Sequence, residues 1–193
     1  SVYSGESGTP FSETNKLSAP TSIYAATKIY NENIAHIYSN LYGLRSIGLR
    51  FFTVYGPFGR PDMAYFKFLK NILEGKAVDL INYGEMSRDM TYIDDIVDGI
   101  FGSIQHLDSL KNSESQVFNL GNDKPIKTIY LLNYLEKIAN KKAKINEIFT
   151  KNEAKHTHAN ISKAKNKLNY LPQVDFEKGI ENFFQWYVKF YKL

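Results

Sequence analysis

Tyr24 and Lys28 stand four residues apart in the run Tyr24-Ala25-Ala26-Thr27-Lys28. On a helix that spacing puts both side chains on one face, a turn apart. A tyrosine hydroxyl ordinarily ionises near pH ~10, and an ammonium beside it favours the phenolate. Such a pair can remove a proton from a sugar or alcohol hydroxyl and return it; the same spacing also arises in surface pairs without a role. Arginine is scarce: the 24 basic residues include only Arg45, Arg50, Arg60 and Arg88, so each is worth locating. Arg60, in Phe58-Gly59-Arg60-Pro61-Asp62, is either a turn residue beside Pro61 or a planar fork suited to a carboxylate. Thr53 offers a hydroxyl at the end of an apolar run. His156 and His158 alternate, but no nearby carboxylate pair completes a metal site, and none is expected.

Regular elements must position these groups. Periodicity predicts a helix over Tyr24–Tyr42, opened by Pro20 and Ser22 and stopped by Gly43. Ser46–Tyr55 reads as one buried strand, of the kind found in parallel sheets, ending at the breaker pair Gly56-Pro57. Further helices are expected over Met63–Leu73, from an Asp94 or Asp95 cap to His106, over Ile129–Asn140 behind a Thr128 cap, over Ser162–Leu168 and over Phe176–Tyr191. Short strands are expected over Val78–Tyr83, Met90–Ile93, Gln116–Leu120 and Ile145–Phe149, with Lys151–Ala159 irregular. Ser1-Val2-Tyr3 reads as the tail of a strand, followed by the turn-rich stretch Ser4–Pro10, so the chain is expected to be the C-terminal portion of a longer protein. Helices and strands alternate with short connections, so the fold class is α/β.

Composition narrows the function classes. With 43% hydrophobic and 23% charged residues the chain is globular rather than disordered. It has no cysteine, which excludes a disulfide scaffold and a thiol nucleophile. No apolar run is long enough for a membrane span, and no signal peptide opens the chain, so a cytoplasmic location away from membranes is expected. The net charge of +4 is spread out, and the lysine-rich runs at 141–144 and 163–167 read as solvated faces rather than a nucleic-acid surface.

Taken in order, several motifs resemble the extended short-chain dehydrogenase/reductase family of NAD-dependent nucleotide-sugar epimerases and dehydratases. They are Tyr24-Ala25-Ala26-Thr27-Lys28, Leu49-Arg50-Phe51-Phe52-Thr53-Val54-Tyr55-Gly56-Pro57, Arg88-Asp89-Met90-Thr91-Tyr92-Ile93-Asp94-Asp95 and Phe118-Asn119-Leu120-Gly121-Asn122. Within that family the run Thr53–Met63 is similar to the uridine diphosphate (UDP) glucuronate 4-epimerases. The resemblance spans nearly the whole chain. It implies the closing part of a Rossmann-type doubly wound sheet over residues 1–60. It implies a small α/β substrate-binding lobe over most of 61–193, interleaved with returning Rossmann elements.

The resemblance also implies roles. Tyr24 would be the acid/base that takes the sugar 4-hydroxyl proton while the 4-hydride passes to NAD, giving a 4-keto sugar that turns and is reduced on its other face. Lys28 would favour the phenolate and bond the nicotinamide ribose, with Phe51 beside the cofactor. Thr53 and Arg60 would meet the sugar carboxylate, Tyr83 the uracil and Arg88 the substrate diphosphate. For Tyr83 the plainer reading is core packing, and for Arg88 a surface ion pair with Asp89. Asp94 and Asp95 read as helix caps. A UDP-sugar substrate and a homodimer that uses helix Tyr24–Tyr42 are implied. The family's catalytic Ser or Thr and its Gly-x-x-Gly-x-x-Gly turn have no counterpart in this sequence. The family's Gly-Asp-Val…Thr-x-Ala-Asp stretch is replaced by Asn152–Asn160, ending in Asn160 rather than Asp. The expectation is a fragment of a UDP-glucuronate/UDP-galacturonate 4-epimerase. A dehydratase or decarboxylase on the same scaffold, or a truncated binder without catalysis, are the alternatives.

Overall fold

A computed structural model of the chain describes residues 1–4, 8–17, 19–150 and 155–193. Helix α1 runs over Ile23–Tyr42. Ser22 caps it by accepting from the Ala25 N–H at 3.1 Å, and Gly43 ends it in the left-handed conformation. Strand β1 (Ser46–Phe51) follows, then β2 (Thr53–Tyr55), α2 (Ala64–Glu74), β3 (Ala77–Ile81), a single 3-10 turn (Asn82–Gly84), β4 (Ser87–Tyr92) and α3 (Ile93–Leu107). The order continues with β5 (Ser115–Leu120), β6 (Pro125–Lys127), α4 (Thr128–Ala139), β7 (Lys144–Ile148), α5 (Ser162–Leu168) and α6 (Phe176–Tyr191). The pairs β1–β5, β2–β4 and β3–β7 are parallel, and β4–β6 is antiparallel. This is an α/β fold.

Several local expectations are corrected. The run Ser46–Tyr55 is two strands, because it changes partner at Phe52: β1 lies on β5 and β2 on β4. Val78–Tyr83 does not stay extended to its end; Asn82 and Tyr83 take positive φ (49° and 57°) and turn the chain. The Met90–Ile93 piece belongs to the longer β4, and Ile93 already starts α3. Neither Asp94 nor Asp95 caps that helix. Tyr92 holds the cap position, and the Asp95 carboxylate instead accepts the backbone N–H groups of Gln173 and Val174 at 2.9 and 3.1 Å. Thr128 is likewise inside α4, its hydroxyl donating to the Met86 carbonyl. Val2 to Ser4 form a turn closed by Ser4 N–H to the Ser1 carbonyl, rather than the end of a strand. Residues 5–7 of the Ser4–Pro10 stretch, and 151–154 of the irregular stretch and of the family departure, lie outside the described residues.

Two larger cores organise the packing. One gathers Tyr55, Tyr65, Leu69, Val78, Leu132 and Phe183 from α2, α4, α6 and the strands between them. The other gathers Ile96, Phe118, Leu120, Ile161, Ala164 and Tyr170 around β5 and α5. Asp89, fully buried on β4, joins the segments between them. Its carboxylate accepts from the N–H groups of Asn122 (2.6 Å), Asp123 (3.2 Å) and Ala159 (2.8 Å). Burial pushes its pKa above the ordinary carboxylate value, against the pull of those three donors. Gly121 makes the junction fit, since a Cβ there would run into Ala159 and the Asp89 carboxylate.

A second polar junction sets α1 against the sheet. Arg50 donates from Nε and Nη2 to the two oxygens of Glu32 at 2.8 and 2.7 Å, a forked ion pair with side chains 10% and 22% exposed. Its Nη1 donates to the Tyr3 hydroxyl, which donates to Asn119 Oδ1, both at 2.7 Å. Burial works against the Arg50 charge, but the Glu32 carboxylate and Tyr3 outweigh it, and the guanidinium is held charged more firmly than usual.

Two stability predictions follow from these junctions. Asp89→Asn leaves an amide NH2 facing N–H donors that a carboxylate had accepted, so urea unfolding should show a loss of about 2–4 kcal/mol from stranded donors. Glu32→Gln leaves the half-buried Arg50 charge without its anion and should cost about 2–3 kcal/mol. Adding Arg50→Met to Glu32→Gln should recover part of that loss, because the unpaired charge is then gone.

Candidate functional site

Helix α1 presents Tyr24, Lys28 and Glu32 at successive steps of four, so the Arg50–Glu32 fork also fixes the rotation of the face that carries Tyr24 and Lys28. The Lys28 Nζ lies 5.2 Å from the Tyr24 ring centroid. Tyr24 is exposed and Lys28 half-buried. Both line a cavity of about 900 Å³ that runs between α1, the β1–β2 junction and the segment 155–157. Phe51 and Thr53, on either side of the partner change at Phe52, are on its wall, as are Arg50 and His156. Among the described residues, nothing hydrogen-bonds the Tyr24 or the Thr53 hydroxyl, so both are available to a bound molecule.

Arg60, Tyr83 and Arg88 are not on that wall. Arg60 sits in the turn after β2, within electrostatic reach of Tyr24. Its guanidinium is occupied: Nε and Nη2 donate to Asp62 Oδ1 and Oδ2 at 3.0 and 2.6 Å. Each partner reinforces the other's charge, the Asp62 carboxyl being held below its ordinary pKa by Arg60. The turn is firmly seated. Gly56 has φ 140° with Ile93 and Tyr92 against the space a Cβ would need, and the Phe58 ring lies 5.0 Å from Trp186 and 6.0 Å from Phe190 on α6.

Tyr83 is not a core residue. Its exposed ring meets Phe149 edge-on at 4.9 Å, at the ends of the β3 and β7 pair. Arg88 is half-buried, with Nη1 donating to the Ser87 carbonyl. Its neighbour Asp89 is committed to the backbone donors described above.

The two histidines have separate partners. His156 Nδ1 lies 2.9 Å from the Ser87 hydroxyl, and His158 Nε2 lies 2.9 Å from Asp123 Oδ1. Among the described residues no group of three His, Asp or Glu could hold a metal ion. Asn160 keeps the acceptor that an Asp would offer, because its Oδ1 receives the Ser162 N–H at 2.9 Å. Sequence reasoning did not identify Glu32, Asp62 or Phe149. Glu32 was detectable as the next member of the Tyr24–Lys28 face, and Asp62 as a carboxylate two residues from Arg60; Phe149 carries no local signal. Among the described residues, no helix is long and apolar enough to cross a membrane.

Comparison with known proteins adds a lineage to this geometry. The chain is 48% identical over 190 residues to an uncharacterized protein of Methanocaldococcus jannaschii, across 98% of this chain and 57% of that one. It is 44% identical over 204 residues to UDP-glucuronate 4-epimerase 3 of Arabidopsis thaliana, across 99% of this chain and 47% of that one. The chain thus spans about half the length of these curated relatives. The crystal structure of UDP-glucuronic acid 4-epimerase from Bacillus cereus, in complex with UDP-glucuronic acid and NAD, superposes with a TM-score of 0.89 at 35% identity. That match covers 98% of this chain and 59% of that chain. The NAD dependent epimerase/dehydratase family matches residues 1–121, which include the Tyr24–Lys28 pair, both halves of the β1–β2 run, Arg60 and Arg88. On that match and these identities, the chain belongs to the NAD dependent epimerase/dehydratase family.

Proposed function

We propose that this chain forms the substrate-side part of an NAD-dependent nucleotide-sugar 4-epimerase that interconverts UDP-glucuronate and UDP-galacturonate. The observation that carries the reading is the shared wall of one 900 Å³ cavity by Tyr24, Lys28, Phe51 and Thr53. The donor set fits the nicotinamide end of a dinucleotide: an ammonium, an exposed phenol and a half-exposed aromatic ring on one face of the cleft. When bound, NAD accepts a hydride from C4 of the sugar and returns it.

The protein's part is proton transfer and positioning. The Tyr24 phenolate accepts the proton of the sugar 4-hydroxyl as the C4–H bond breaks, leaving a 4-keto sugar. After the sugar turns over, the Tyr24 hydroxyl returns the proton to the 4-oxygen as the opposite face is reduced. Lys28, one helical turn away, stabilises the phenolate and donates to the cofactor ribose. Thr53 donates from the β1–β2 junction to the sugar. Arg60 offers its guanidinium to the sugar carboxylate, Arg88 meets the diphosphate, and Tyr83 with Phe149 offers an exposed aromatic surface for the uracil. Residues 1–60 then belong to the Rossmann part and most of 61–193 to the substrate lobe. A homodimer is part of the same reading, supported by the exposed apolar side chains Tyr38 and Leu41 on α1 and Phe101 and Ile104 on α3.

In the complete protein, Tyr24→Phe removes the proton acceptor and little contact area. Turnover should fall at least a hundredfold while affinity for the sugar nucleotide changes less than about threefold; turnover near that of the unaltered protein would end the role given to Tyr24. The carboxylate assignment has its own measurement. A charge-assisted pair contributes roughly 1.5–3 kcal/mol, so Arg60→Met should weaken UDP-glucuronate binding about 10- to 150-fold by calorimetry. UDP-glucose, with a neutral group in that place, should bind as before; equal losses for both would reassign Arg60 to the diphosphate or the fold.

A further inference from the structure

The turn that bears Arg60 has a fixed backbone and a free-standing side chain. Gly56 and the Phe58–Trp186 contact hold the chain on either side, while the Arg60 and Asp62 side chains are 70% and 59% exposed. The guanidinium nevertheless does not face water with its Nε–Nη2 edge. That edge holds the Asp62 carboxylate in the two-bond arrangement that an incoming ligand carboxylate would adopt. Asp62 also sets a like charge beside any second anion that approaches Arg60.

We propose that Asp62 is a specificity-determining residue: an internal carboxylate that occupies Arg60 and is displaced by the carboxylate of an acidic sugar nucleotide. The inference rests on the reading of Arg60 as the sugar-carboxylate site. Three features make the exchange workable. The pair is between neighbours two residues apart, so Asp62 stays close when displaced. Both groups are exposed, and exposed ion pairs are weakly held because water screens them. The displaced carboxylate returns to water rather than to an apolar surface, so it is not stranded. A neutral sugar does not compete for the fork, and Arg60 then stays neutralised by Asp62 instead of standing unpaired beside an uncharged group.

The consequence is a trade. Asp62 makes every acidic ligand bind against a competitor and leaves neutral ligands almost unaffected, so it narrows the preference for uronic acids that Arg60 creates. The measurable quantity is the ratio of dissociation constants for UDP-glucose and UDP-glucuronate, read by calorimetry on the complete, NAD-loaded protein. Asp62→Asn keeps the shape of an exposed side chain and removes its charge. The ratio should rise by about 2- to 5-fold, the range open to an exposed pair. In an Arg60→Met background the same substitution should leave the ratio unchanged, since nothing remains to compete for. An unchanged ratio in Asp62→Asn alone overturns the proposal. A lower ratio overturns it too, and would make Asp62 a clamp that orients Arg60 for the ligand. Arg60→Met separates the two levels of argument. If it leaves the ratio unaltered, the carboxylate site itself is misassigned. If it lowers the ratio while Asp62→Asn does not raise it, only the role of Asp62 fails.

Discussion

A guanidinium drawn out of water must be met by an anion, and Arg50 is where this chain satisfies that requirement. Its fork fixes Glu32, its third nitrogen fixes Tyr3, and through Tyr3 it reaches Asn119. Asn119 in turn donates to the carbonyls of Phe11 and Asn160. One buried charge therefore registers a helix, two strands, the segment ahead of the helix and the segment that follows β7. Glu32 is the third residue on the face that begins with Tyr24 and Lys28. Moving that pair would require unpairing a charge that has little water to turn to. The orientation of the Tyr24–Lys28 face thus depends on an ion pair that lies one helical turn beyond it.

Asp89 plays the complementary part on β4. Here the anion is the buried group, and the donors that answer it are backbone N–H groups from two different connections. Backbone donors cannot rotate away, so the carboxylate holds the 121–123 turn and Ala159 at fixed distances from β4. His156 and Thr157, just ahead of Ala159, line the cavity, while Arg88, the neighbour of Asp89 on the same strand, does not. Burial raises the Asp89 pKa, against the pull of the three backbone donors. Its ionised form is disfavoured relative to the unfolded chain, so this group's own contribution to stability is greatest at low pH and declines as pH rises through its elevated pKa.

What the sequence made legible was local. The Tyr24–Lys28 spacing, the Ser22 cap and the Gly43 stop are each decided within a turn of helix, and each is where it was expected. The junctions were not legible. Tyr3 and Arg50 are 47 residues apart, and Tyr3 and Asn119 are 116 apart. Asp95 shows how such contacts mislead a local reading. A carboxylate at the start of a helix looks like a cap, but the chain returns near residue 173 with two N–H groups that claim it. Tyr83 is the opposite case: Asn82 before it is a turn former, and the apolar pattern of β3 masked it, so the expected strand runs two residues too far.

The partner change at Phe52 ties these observations to the location of the cleft. A strand that pairs along one register to Phe51 and along another from Thr53 cannot keep a continuous neighbour on either side. Ligands of open α/β sheets collect where strand order breaks, at the carboxyl ends, because backbone groups and side chains there converge without a helix laid over them. Phe51 and Thr53 flank that break, and α1 delivers Tyr24 and Lys28 to the same opening. The turn after β2 then carries Arg60 only a few residues beyond it. The Phe51 ring, the Thr53 hydroxyl, the Tyr24 phenol and the Lys28 ammonium thereby share one opening, beside a single discontinuity in one short apolar run. That discontinuity is a property of pairing between distant strands, and it is invisible in the ten residues that contain it.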